Sequence, residues 1–189
     1  MQESRHIENI ALIGFMGTGK TSVGHALAHL LHFQMVDTDE LVEAQAHQRI
    51  SDIFRQQGEP RFRQFEYEVV QQLRNRQRLI IATGGGLAAQ ADNLASLRTH
   101  SLIVCLWASP ASIWQRVRHQ SHRPLLDDPD PIGKIHRLLA ERDPFYRQAD
   151  VLINTELRSV REVANQVAHQ FRLIRGRPHR ESNDPKAGA

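Results

Sequence analysis

Residues 14–21 read GFMGTGKT and fit the spacing G-x-x-x-x-G-K-[ST]. The apolar run 10–13 stands directly before this segment, and Val23, Leu27, Leu30 and Leu31 follow at helical spacing. The pattern therefore lies where a strand hands over to a helix, and no other feature constrains the chain as tightly. A polyphosphate needs backbone N–H groups turned inward around it. Gly17 and Gly19 permit that turn, since glycine tolerates positive φ and brings no side chain. Lys20 is placed to neutralise charge on the β- and γ-phosphates and Thr21 to hold Mg²⁺ through its hydroxyl, while the helix N-terminus adds partial positive charge. The chain has only three lysines against 21 arginines, and one of the three falls on the motif position. The expected nucleotide-binding set is Gly17, Thr18, Gly19, Lys20, Thr21 and Ser22. A phosphate loop alone does not separate a kinase from an ATPase, a GTPase or a motor, so the acceptor must be read elsewhere.

The alternation of strand and helix recurs. Strands are expected over 34–36, ending at Asp37, and over 79–82, 101–107 and 151–153, with helical segments between 39 and 74 and a cap-plus-proline start at Ser109-Pro110. Strands separated by helices imply parallel βαβ units with right-handed crossovers, hence a three-layer, doubly wound α/β domain. With 189 residues, 40% of them hydrophobic, one such domain is expected over 1–175. Residues 119–131, rich in proline and aspartate, read as a lid loop, and 176–189, without apolar residues beyond alanine, as a disordered tail. The N-terminus is polar and glycines interrupt the first apolar stretch, so neither a signal segment nor a membrane span is expected. A single cysteine excludes an internal disulfide framework and suits the cytoplasm. Cys105 lies in an apolar strand and reads as a core residue, Trp107 and Trp114 read as packing residues, and the 11 histidines show no paired metal spacing.

Asp37 and Asp39 stand at the end of the second expected strand, where alternate residues share a face and point to one crevice. One such carboxylate can hold Mg²⁺ and the other can accept the proton of an attacking hydroxyl; helix capping by Asp39 is the competing reading. Arg63 and Glu66, in the segment GEPRFRQFE, lie three apart on one helical face. A guanidinium held this way suits a carboxylate ligand, although a surface ion pair would look the same. Gly84, Gly85 and Gly86 after the third strand allow close approach of a ligand to the backbone, or form a simple flexible turn. Arg123 in RPLL and Arg142 in RDPFY add two more cations.

Taken in order, GFMGTGKT, DTD, GExxFRxxE, TGGG, RPLL and RDPFYxxAD resemble the shikimate kinase family over roughly residues 10–151. The resemblance implies a nucleoside-monophosphate-kinase-like fold with a five-stranded parallel sheet. It also implies transfer of the ATP γ-phosphate to the 3-hydroxyl of shikimate, a step of the chorismate route to aromatic amino acids. By resemblance, Asp39 binds the shikimate hydroxyls and acts as base or orienter, Arg63 and Arg142 clamp the carboxylate, and Gly84, Gly85 and Gly86 complete the pocket. Likewise Glu66 orients Arg63, Arg123 closes from the lid onto phosphate, Asp37 supports Mg²⁺ and Arg116 stacks on adenine. Lys20, Asp39 and Arg123 are thus the expected catalytic set, with ATP and Mg²⁺ as cofactors and shikimate as the small-molecule partner. A cytoplasmic monomer is expected, with no nucleic-acid or membrane partner. The rivals are another small-molecule kinase, such as one for gluconate, and a non-catalytic ATP-binding module. Residues 154–156 carry no sharp adenine-side signature.

Overall fold

A computed structural model describes residues 5–118 and 128–176. Five strands, β1 (Asn9–Ile13), β2 (Gln34–Asp37), β3 (Leu79–Ala82), β4 (Ser101–Trp107) and β5 (Val151–Asn154), form one parallel sheet in the order β2-β3-β1-β4-β5. The connecting helices are α1 (Lys20–Leu31), α2 (Thr38–Ala46), α3 (Ile50–Leu73), α4 (Ala91–His100), α5 (Pro110–Val117) and α6 (Pro131–Tyr146), with α7 (Val160–Arg175) last.

After the buried Asn9 and Ser101 at their starts, the central strands are apolar because helices cover both faces. The period-two alternation then divides each strand between two cores. Ile10 and Leu12 of β1, Ile80 of β3 and Leu102, Val104 and Leu106 of β4 pack with Val23 and Leu27 of α1 and Val163, Val167 and Phe171 of α7. Ala11, Ile13, Ile81, Ile103 and Cys105 face the other way, against Val42, Ile53, Phe65, Val69 and Leu97. The order reverses beside β1, whose neighbours are β3 and β4, and a crevice at such a switch point is where open α/β sheets place ligands. The register Asp37↔Ala82 and Leu12↔Ala82 brings the C-terminal ends of β1, β2 and β3 to one edge. The phosphate loop, the aspartates and the three glycines therefore meet there.

Expectations change at Asp39 and at Trp107. Asp39 is not at the strand end: α2 begins at Thr38, and Asp37 itself caps it by accepting the Asp39 N–H at 3.0 Å. The helical segments expected between 39 and 74 are α2 and α3, which part at His47, in the left-handed region at φ 50°, and α3 is kinked at Gly58, whose φ of 78° no ordinary side chain adopts cheaply. Pro60 then restarts the helix within its first turn, where its missing N–H costs nothing. Trp107, at the end of β4 beyond the helical cover, is 39% exposed rather than packed; Trp114 does pack, beside Phe15 and Ile113. Residues 119–127 of the expected lid, including Arg123, and residues 177–189 of the expected tail lie outside the described residues.

Cys105 is fully buried, and burial pushes its thiol up to about 12 against a small opposing pull from Lys20. The thiolate is the reactive form. The folded protein is therefore expected to leave Cys105 unlabelled by a maleimide at neutral pH and to label fully in denaturant, as read by intact mass. No helix among the described residues is long and apolar enough to cross a membrane.

Candidate active site

The phosphate loop leaves β1 at Gly14 and enters α1 through Gly19, the N-cap, whose φ of 94° turns the chain so that the first N–H groups of α1 face the loop interior. Lys20 folds into this loop, its Nζ donating to the carbonyls of Gly14 at 2.8 Å and Phe15 at 2.9 Å. The ammonium is thus already held where a polyphosphate would lie. Thr18 is buried, and its hydroxyl braces the loop by donating to Phe15 O at 2.7 Å. Thr21 and Ser22 are exposed on the first turn of α1. Thr21 Oγ1 stands 3.5 Å from Asp37 Oδ2 at the end of β2. A hydroxyl and a carboxylate side by side are hard oxygen donors of the kind Mg²⁺ takes, alongside phosphate oxygens and water.

The three consecutive glycines after β3 each face a different predicted substrate residue. A Cβ built on Gly84 would lie 2.3 Å from Asp39 Oδ1, one on Gly85 3.7 Å from an Arg142 terminal nitrogen, and one on Gly86 3.0 Å from an Arg63 terminal nitrogen. Space therefore forbids a side chain at Gly84 and crowds one at Gly86, whereas one at Gly85 would make only ordinary contact; φ is negative at Gly86, and the segment is pinned. The Gly84 N–H donates to Thr38 Oγ1 at 2.8 Å, and Gly85 O accepts from Arg142 at 2.9 Å and from the Tyr146 hydroxyl at 3.2 Å. Met16 of the phosphate loop reaches the same turn, its N 3.6 Å from a Cβ on Gly85. Acceptor residues and phosphate loop thus share one short turn.

Arg63 is tied on two sides. One terminal nitrogen donates to Glu66 at 2.7 Å; the other, with Nε, donates to Glu59 at 2.7 and 3.1 Å. Burial works against the Arg63 charge, but the two glutamates outweigh it and hold the guanidinium above its ordinary range. Glu66, only 1% exposed, is raised by burial, which exceeds the opposing pull of Arg63, with nearby Asp39 adding to the rise. This is no surface ion pair: it is a buried strut under the arginine. Arg142 sits 5.2 Å from the Phe15 ring centroid, a cation–π distance that fixes it against the floor of the phosphate loop.

Arg116 on α5 ties the phosphate loop to the segment after β5. It donates to Gly17 O at 3.2 Å and to Thr155 through Oγ1 at 3.0 Å and O at 2.9 Å. Thr155 and Glu156 had no signature in the sequence, yet Glu156 closes the start of α5: it accepts from the Ser109 N–H at 3.0 Å, from the Ser109 hydroxyl and from the Ser112 hydroxyl at 2.5 Å. The Ser109 and Ser112 hydroxyl bonds, then the Ser109 N–H, lower its carboxyl to about 2 from 4.5. A depressed carboxyl stabilises the fold above its unfolded value and loses that contribution as pH falls through its folded one. The Tm difference between the native chain and Glu156→Gln is expected to be full above about pH 4.5 and to vanish as pH falls toward 2. Glu59 was also missed as a partner of Arg63, although it stands in the motif four residues before it; that i,i+4 spacing on the helix after Gly58 is the signal that finds it.

The family model for shikimate kinase matches residues 16–172. The shikimate kinase of Caldanaerobacter subterraneus subsp. tengcongensis is 41% identical over 171 residues, spanning 90% of this chain and all of that protein. Among solved structures, shikimate kinase from Acinetobacter baumannii in complex with shikimate superposes with a TM-score of 0.84 at 35% identity, over 90% of this chain and 96% of that one. A gluconokinase from Sinorhizobium meliloti superposes at 0.58 with 17% identity, over 90% of this chain and 95% of the other, a likeness of fold alone.

Proposed function

Because the chain belongs to the shikimate kinase family, ATP-dependent phosphotransferases with an alcohol group as acceptor, we propose the division of labour by which its cleft converts shikimate and ATP into shikimate 3-phosphate and ADP. The observation that carries it is the glycine turn, where Asp39, Arg142 and Arg63 close on Gly84, Gly85 and Gly86 within reach of the phosphate loop. A small hydroxylated carboxylate needs one carboxylate acceptor for a hydroxyl and planar cations for its anionic end. The turn offers both.

Binding begins with the carboxylate of shikimate taking the Nε edge of Arg63 from Glu59, whose side chain is 60% exposed and solvates readily once displaced. Glu66 keeps the other edge and so fixes the plane of the fork. Arg142, braced by Gly85 O and Phe15, supplies the second cation. Asp39 then accepts a hydrogen bond from the 3-hydroxyl and takes or orients its proton as the oxygen attacks. Phosphoryl transfer asks chiefly for positioning and for charge around the transferred group. Lys20 exchanges the Gly14 and Phe15 carbonyls for β- and γ-phosphate oxygens, and the N-terminus of α1 adds its N–H groups. Thr21 and Asp37 would hold Mg²⁺, which supplies neutralisation of the phosphate charge. Arg116, anchored on Thr155, stacks on the adenine, and Arg123, outside the described residues, closes onto phosphate. The protein acts on free metabolites as a cytoplasmic monomer, with residues 1–175 as the catalytic domain.

The test is ADP release from Mg-ATP with shikimate, gluconate, quinate or no acceptor. Turnover is expected with shikimate alone; equal turnover with gluconate, or ATP binding without any acceptor response, would overturn the reading.

A further inference from the structure

The catalytic cleft lies at the C-terminal ends of the strands. At the opposite pole of the sheet a second concavity, of about 630 Å³, opens between the end of α3, the following loop and the end of α4, and is lined by Arg74, Arg76, His6, His100 and Glu8 among others. Its charges do not cancel. Glu8 is engaged by Arg175 at 3.0 Å and by His6 at 3.7 Å. Among the described residues no carboxylate pairs with Arg74 or Arg76, whose side chains find only the neutral oxygens of Gln71 at 3.3 Å and Gln34 at 3.0 Å.

Beneath the arginines lies a donor without an acceptor. Asn9 is fully buried, and its amide orientation is set by its partners: Oδ1 accepts from Leu79 N–H at 2.9 Å, so Nδ2 donates, to Arg76 O at 2.8 Å and to His100 Nδ1 at 2.9 Å. His100 Nδ1 is therefore an acceptor, which places the ring proton on Nε2. Among the described residues that buried Nε2–H has no partner, in a residue 8% exposed that lines the concavity. Burial, with the nearby Arg74, also disfavours the charged ring. Leaving a buried donor unmet costs about 1–3 kcal/mol, so such groups call for an explanation. Helices α3 and α4 both end at this pole, and a helix C-terminus carries roughly half a negative charge, which accounts for a cation at each end. It does not account for an N–H group with nothing to bond.

We propose that this concavity is a binding site for a small oxyanion, a phosphate or carboxylate group held by Arg74 and Arg76 with His100 Nε2–H as the deep donor. Its volume suits one small molecule rather than an extended polymer. A guanidinium pair over a neutral imidazole donor gives charge and direction together, which is what oxyanion recognition uses. The site is separate from the cleft by the length of the strands, so it fills whether or not the cleft takes shikimate.

The experiment uses the full chain, labelled with ¹⁵N-histidine and saturated with ADP, Mg²⁺ and shikimate so that the phosphate loop is occupied. Sodium phosphate is titrated in one arm and sodium succinate in another, ionic strength being held with sodium chloride, and the His100 Nε2–H resonance is followed. A saturable shift is expected, and the arm showing it names phosphoryl or carboxylate as the ligand group. In the double variant R74Q/R76Q the half-saturation point is expected to rise by about tenfold or more. The substitutions are at the surface and Asn9 bonds only the main chain of Arg76, so folding and turnover should be kept. A shift that stays linear or absent with both anions, or one unchanged in the double variant, overturns the proposal.

Discussion

Asp39→Asn is expected to lower kcat for shikimate phosphorylation by about 10²–10⁴, the range a positioned general base or proton acceptor supplies. That corresponds to about 3–5 kcal/mol of transition-state stabilisation. KM for ATP should hold, because in the proposed division of labour the nucleotide is held by the phosphate loop and Arg116, and circular dichroism should show a folded protein, because the backbone N–H that Asp39 gives to the α2 cap is kept in the variant. A second variant separates position from charge. Gly84→Ala keeps the carboxylate but puts a methyl group where Asp39 Oδ1 now stands, at 2.3 Å. It should reproduce much of the kcat loss by pushing the acceptor off line. Unchanged kcat in both variants would remove Asp39 from the reaction.

Arg63→Ala is expected to have two effects, on affinity and on stability. Loss of a bidentate partner for the substrate carboxylate should raise KM for shikimate by about 10²–10³, at about 1.5–3 kcal/mol for each charged hydrogen bond. The variant also leaves Glu66 buried without its cation. Breaking a buried pair costs about 3–5 kcal/mol, and with Arg63 a quarter exposed about 2–4 is the better expectation. The pH dependence identifies the cause. Burial already raises the Glu66 carboxyl, and losing Arg63 raises it further. A raised carboxyl makes the folded state bind its proton more tightly, so the penalty is full above the folded pKa and is relieved as pH falls through it toward the unfolded 4.5. Denaturant melts of Arg63→Ala should therefore approach the native chain as pH drops from 8 to about 5. Arg63→Lys, which keeps a cation near Glu66 but not the planar fork, should recover most stability and little affinity. A stability loss independent of pH would assign it to lost packing instead.

The sheet and its two cores were legible because parallel strands buried on both faces are short unbroken apolar runs, and β1, β3 and β4 are of that kind. β5 was equally readable, though its edge position leaves Leu152 exposed. The phosphate loop was legible for another reason: its function is performed by backbone groups, whose conformation glycine spacing controls locally. Asp39 was misplaced because whether a residue ends a strand or starts a helix depends on which aspartate caps α2, a matter of side-chain hydrogen bonding that two neighbouring aspartates leave open.

Thr155 and Glu156 were invisible for a different reason. Each acts on a residue brought to it by a crossover, Arg116 or Ser109, dozens of positions away in the chain, whereas Glu59 pairs with Arg63 at plain i,i+4 helical spacing. The sequence by itself determined the strand–loop–helix core, the nucleotide and the set of acidic and basic residues available to an acceptor, because these follow from local periodicity and backbone freedom. Only the tertiary structure decided which cation meets which glycine, that Glu66 is a buried strut, and that His100 keeps an unmet N–H at the far pole. Those depend on distances between segments remote in sequence, which packing sets and no local pattern encodes.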